Sequence, residues 1–116
     1  MLSLLMSISA AYDTHDALGL AELVRKKEVT GQELLEEAIR RAQQVNPKLN
    51  AIVLEMFDEG RRLLSAGLPD GPLRGVPFLL KDLAQPYAGF PLRSGSKLYE
   101  RYLPEVHGEL VRRYLA

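Results

Sequence analysis

The chain has 116 residues, 47% hydrophobic and 26% charged, which is the balance of one small globular domain rather than of a disordered segment. Its 15 Lys and Arg match its 15 Asp and Glu, so charge gives no footprint for nucleic acid or for an anionic membrane. Cysteine is absent and the histidines are only His15 and His107, which excludes disulfides and thiolate sites and leaves no ligand spacing for a metal.

Met1 to Ala11 is apolar but lacks the basic start of an export signal and is too short to span a bilayer. It is expected to pack on the body or fray, and the protein is expected to be cytoplasmic. Asp16 to Lys27 predicts a helix with Leu20, Leu23 and Val24 on one face. Thr30-Gly31-Gln32-Glu33 is a capping box opening the next helix. Leu35, Ala38, Ile39 and Ala42 form its apolar stripe. Glu36, Glu37, Arg40 and Arg41 form a solvated face with favourable pairs four residues apart. Asn46-Pro47 is expected to stop this helix, leaving a helical hairpin.

Leu49 to Leu54 then predicts a strand. Glu55 to Ala66 predicts a helix with Gly67 as its C-cap, and Leu68 to Pro72 a turn. Gly75-Val76-Pro77-Phe78-Leu79-Leu80-Lys81-Asp82 runs five apolar residues into a charged pair, the pattern of a fully buried strand. Desolvation at the end of such a strand favours the neutral form of Lys81, and a neutral amine is a base. The competing reading from the residues alone is a strand-end lysine whose head reaches water beside Asp82. Residues 84–97 read as a loop, and Glu105 to Leu115 as a final helix that runs to the end of the chain. This order predicts an α/β architecture. Two strands do not make a self-sufficient parallel sheet, so part of the sheet is expected to be missing.

Leu73 to Asp82 resembles the lysine segment of amidase-signature hydrolases, G-[IV]-P-x-x-x-K-D. The hairpin closing on Asn46-Pro47-Lys48-Leu49-Asn50-Ala51 resembles that family's N-terminus. Gly89, Ser94, Gly95 and Ser96 resemble its G-x-x-T-x-x-G-S segment. The resemblance runs from about Tyr12 onward. It implies a mixed sheet flanked by helices, of which this chain would be the N-terminal fragment: 1–47 the helical hairpin, 48–116 the start of the α/β core. It further implies a Ser–cis-Ser–Lys triad with Lys81 as the lysine, no cofactor and no metal. Both catalytic serines would lie beyond Ala116, after a Gly/Ser-rich signature.

Leu83-Ala84-Gln85-Pro86 and Val106-His107-Gly108-Glu109 depart from the family's usual residues, which leaves the substrate class open. Ser94 and Ser96 read as a turn, with a packing role beside the triad as the sharper alternative. Tyr87 and Phe90 read equally as an acyl pocket or as loop anchors. Asp82 reads as structural, capping the next loop. His107 reads as a solvent-facing residue in the first turn of the last helix. The implied function is hydrolysis of a small-molecule carboxylic amide by the complete enzyme, this piece alone being inactive. One alternative is a glutaminase-type subunit of a tRNA-dependent amidotransferase. Another is a non-catalytic binding or oligomerising module, with a second copy or a missing C-terminal portion covering the sheet edge at Val76 to Leu80.

Overall fold

A computed structural model describes residues 6–116; what the sequence leads one to expect of Met1 to Leu5 lies outside them. It holds five α-helices, α1 (Ile8–Thr14), α2 (Ala17–Arg25), α3 (Gly31–Leu49), α4 (Phe57–Ala66) and α5 (Glu109–Leu115), and a 3-10 turn at Lys97–Tyr99. The chain divides into two compact units, Met1–Pro77 and Phe78–Ala116.

In the first unit, short-range signals set the helix starts. Ser7 Oγ accepts the Ala10 N–H at 3.2 Å and opens α1. Asp16 Oδ1 accepts the Gly19 N–H at 2.8 Å and opens α2. The capping box of α3 is complete: Thr30 Oγ1 accepts the Glu33 N–H at 3.1 Å, and the Thr30 N–H donates to Glu33 Oε2 at 2.8 Å. These bonds satisfy amides that a helix start leaves orphaned. Ala11, Leu20, Leu23, Val29 and Leu34 form the core, with Ile8, Tyr12, Val24 and Val76 packed against it. Burying each leucine contributes roughly 1.5–3 kcal/mol. The apolar N-terminal stretch therefore packs on the body from Ile8 onward.

Helix α3 buries two sides. Leu34 and Ile39 are buried, whereas Leu35 lies only 3.2 Å from the point where a Cβ on Gly60 of α4 would sit. The expected solvated stripe is corrected at Glu37, which is 5% exposed. Arg40 grips its carboxylate through two bonds at 2.8 and 2.7 Å. Arg41 donates to it at 2.7 Å, and also to Asp13 Oδ1 at 2.7 Å and to the Ser9 carbonyl at 3.0 Å. The Arg41 guanidinium lies 4.9 Å over the Tyr12 ring. One arginine thus ties α3 to α1. Glu36 pairs not within its helix but with Arg61 of α4, at 2.7 and 3.0 Å.

The helix does not stop at Asn46-Pro47. Pro47 lies inside α3, which runs to Leu49 and is capped by Asn50 at φ 49°. Proline lacks the N–H that a helix interior needs and disfavours helical backbone before it. Local preference is overridden here because the Asn46 side chain accepts from the Ile52 N–H at 2.8 Å and donates to the Ile52 carbonyl at 3.0 Å. Helix α4 starts two residues later than the sequence suggests and ends at the expected Gly67, φ 91°. The turn expected at Leu68 to Pro72 forms instead over Pro72 to Gly75, where the Val76 N–H donates to the Leu73 carbonyl at 3.1 Å.

The α/β class is overturned. Among the described residues there is no strand, and every regular element is helical. A strand exists only by pairing with a neighbouring backbone, and neither apolar run finds one. Leu49 belongs to α3, and Ile52 is held by a side-chain amide instead of a ladder. Phe78 and Leu79, expected to be fully buried, are 64% and 73% exposed.

In the second unit, residues 86–92 run against 102–108 without forming a strand. The Leu92 N–H donates to the Tyr102 carbonyl at 3.3 Å, Gly89 to Pro104 at 2.9 Å, and Gly108 to Pro86 at 2.9 Å. Helix α5 begins at Glu109, four residues later than Glu105, with Gly108 as its N-cap. Val111 is 2% exposed, and the Phe78 and Tyr114 rings meet at 4.7 Å.

Candidate functional site

The chemistry-bearing residues read from the sequence all fall in the second unit. Lys81 follows the apolar segment that was expected to be a strand, and it is exposed. The burial argued from a strand end is therefore absent around it in this chain. Its backbone N–H donates to Gln85 Oε1 at 3.3 Å. Asp82 acts structurally: its Oδ1 accepts the Arg93 N–H at 2.9 Å and closes the loop between them.

Ser94 and Ser96 belong to a tight turn. The Ser96 N–H donates to the Arg93 carbonyl at 2.9 Å, with Ser94 at φ 51° and Gly95 at φ 66°. Positive φ at both central residues defines a type I′ turn. Ser96 Oγ then accepts the Leu98 N–H at 3.2 Å and starts the 3-10 turn. Each serine is thus accounted for by backbone geometry.

Tyr87 and Phe90 come together, edge to face, with ring centroids 5.3 Å apart. The residue that sequence reasoning missed sits against Tyr87. His107 is not a solvent-facing residue of a helical turn. It precedes α5, is partly buried, and meets the Tyr87 ring at 4.6 Å. Its Nδ1 accepts the Ala88 N–H at 3.0 Å. A signal was present in the sequence: Gly108 followed by Glu109 is a workable helix start, and it leaves His107 in the preceding loop. Among the described residues no group of His, Asp or Glu is placed to hold a metal, and no helix is long and apolar enough to cross a membrane.

Comparison with known proteins places these residues in a family. The amidase family model matches residues 33–116. The chain is 48% identical over 68 residues to the 6-aminohexanoate-cyclic-dimer hydrolase of Paenarthrobacter ureafaciens, covering 59% of this chain and 13% of that protein. It is 35% identical over 94 residues to a glutamyl-tRNA(Gln) amidotransferase subunit of Halothermothrix orenii, covering 81% and 19%. It is 40% identical over 82 residues to the lipoamidase of Enterococcus faecalis, covering 69% and 11%. No solved structure matches significantly. The chain belongs to the amidase family, and it spans less than a fifth of the length of these three relatives, 13%, 19% and 11%.

Proposed function

We propose that these 116 residues are the N-terminal part of a hydrolase of carboxylic amides, with Lys81 as the base of a Ser–cis-Ser–Lys triad. The observation that carries the reading is the family match over residues 33–116, which contains Gly75-Val76-Pro77-Phe78-Leu79-Leu80-Lys81-Asp82. In this reaction a serine hydroxyl attacks the amide carbonyl. Its proton passes through the bridging serine to the Lys81 amine and then to the departing amine. Water cleaves the resulting ester and releases the acid. Neither serine is Ser94 or Ser96, which the turn geometry already employs. A base without its nucleophile has no covalent route, so this chain alone is expected to be inactive.

The test is ring opening of the 6-aminohexanoate cyclic dimer, the compound in the name of one relative, read as the appearance of a free primary amine on the linear product. It is measured for this chain alone and for a full-length amidase carrying residues 1–116. No turnover is expected from the chain alone. In the full-length protein Lys81→Ala is expected to lower kcat/KM by about 10³-fold, within the range for removing a positioned base. Turnover by this chain alone that survives Lys81→Ala overturns the proposal.

A second reading, as the glutaminase-type component of an amidotransferase, is supported by the 35% identity over 94 residues to the Halothermothrix orenii protein. It requires a partner to receive ammonia. Co-purification of a partner together with glutamine hydrolysis would favour it over the first.

A further inference from the structure

We infer that His107 is a positioning residue that sets the Tyr87–Phe90 pair as one wall of the acyl site. The inference rests on the amide-hydrolase reading only for what the wall meets, the acyl chain of the amide. A backbone N–H can only donate, so the bond from Ala88 at 3.0 Å requires a lone pair on Nδ1. The ring proton is then on Nε2, and the imidazole is the neutral tautomer. The same ring lies edge-on to Tyr87 at 4.6 Å and 72°, and Tyr87 lies edge-on to Phe90 at 5.3 Å and 86°. One side chain thus holds both the backbone and the aromatic side of residues 87–90.

The neighbouring position reinforces the clamp. The Gly108 N–H donates to the Pro86 carbonyl at 2.9 Å, and a Cβ on Gly108 would lie 2.9 Å from Pro86 Cδ. Residues 107 and 108 therefore hold 86 and 88 from two adjacent points, one by side chain and one by backbone. Along this stretch the acceptors for Leu92, Gly89 and Gly108 are backbone carbonyls; at Ala88 the imidazole takes that place. Without it the Ala88 amide loses its acceptor, and the Tyr87 ring loses its edge-on contact with the imidazole.

A ring that merely filled space would be replaceable by any residue of similar volume. An acceptor at Nδ1 is a narrower demand. Asparagine carries its oxygen at the Nδ1 position, whereas glutamine carries it one bond further out. In a full-length amidase carrying residues 1–116, His107→Gln is expected to raise KM for the amide about tenfold with kcat within about twofold, the signature of lost uniform binding. His107→Asn is expected to restore KM to within about twofold of the parent. In this chain, the 15N shift of wild-type Nδ1 is expected to be that of an unprotonated ring nitrogen.

Equal KM effects of the two substitutions, or no effect of either, overturn the inference, as does a protonated Nδ1. Lys81→Ala separates the two proposals. If it leaves turnover intact while His107→Gln still raises KM and His107→Asn restores it, the triad reading fails and the positioning role stands. If it abolishes turnover while both His107 variants match the parent, the positioning role alone fails.

Discussion

Glu37 shows how far a single charged residue can depart from its sequence pattern. Three guanidinium contacts from Arg40 and Arg41 hold its carboxyl well below its usual range, from 4.5 to about 2. A carboxylate with a depressed folded-state pKa favours folding when ionised. That contribution is complete above about 4.5 and fades as pH falls toward 2. Glu37→Gln should therefore lower the urea midpoint at pH 7, and the gap to the parent should shrink steadily between pH 5 and pH 2.5. A gap that is constant across this range would show that Glu37 is not held by the arginines. The lysine motif was legible at this scale because it is contiguous in sequence. The burial of Glu37 and the role of His107 were not, since Arg41 reaches on to Asp13 and Ser9 of α1 and His107 reaches Ala88, contacts set by how separate segments meet.

At the scale of elements, the first unit depends on a close approach of two glycines. A Cβ on Gly31, the first residue of α3, would lie 3.3 Å from the Gly75 Cα, and one on Gly75 would lie 3.1 Å from Val24 Cγ1. Gly75 also has φ 84°, where an L side chain is strained. Gly75→Ala is expected to destabilise the unit by about 1–3 kcal/mol. Gly71→Ala, with nothing within 4 Å, is expected to stay within about 0.5 kcal/mol. Urea unfolding of both checks this, and equal stabilities would refute the close approach. Caps were legible because they involve residues three apart, as at Thr30 and Glu33. Strands were not, because five apolar residues in a row fix neither a ladder nor burial.

At the scale of the whole molecule, order is unevenly distributed. Among the described residues, the first unit has a core cluster of Ala11, Leu20, Leu23, Val29 and Leu34. The second leaves Leu98 and Val106 83% and 74% exposed. Segments with few buried contacts open at low free energy. Hydrogen exchange should thus find the α3 amides around Leu34 the slowest and those of Phe78 to Leu83 among the fastest, by at least about a hundredfold. Comparable protection in the two stretches would contradict the difference in packing. The α/β expectation failed at this scale because it inferred a sheet from segments whose pairing partners no local pattern can supply.

The side-chain clamp of Asn46 on Ile52 bears on the chemical lifetime of the chain. Asparagine deamidates chiefly when the amide nitrogen of the next residue attacks its side chain and closes a ring. The next residue is Pro47, whose nitrogen carries no hydrogen and is locked within α3. That route to aspartate is closed at Asn46, whose amide must both donate and accept, so the clamp on Ile52 is protected against ageing by the very proline that was expected to end the helix.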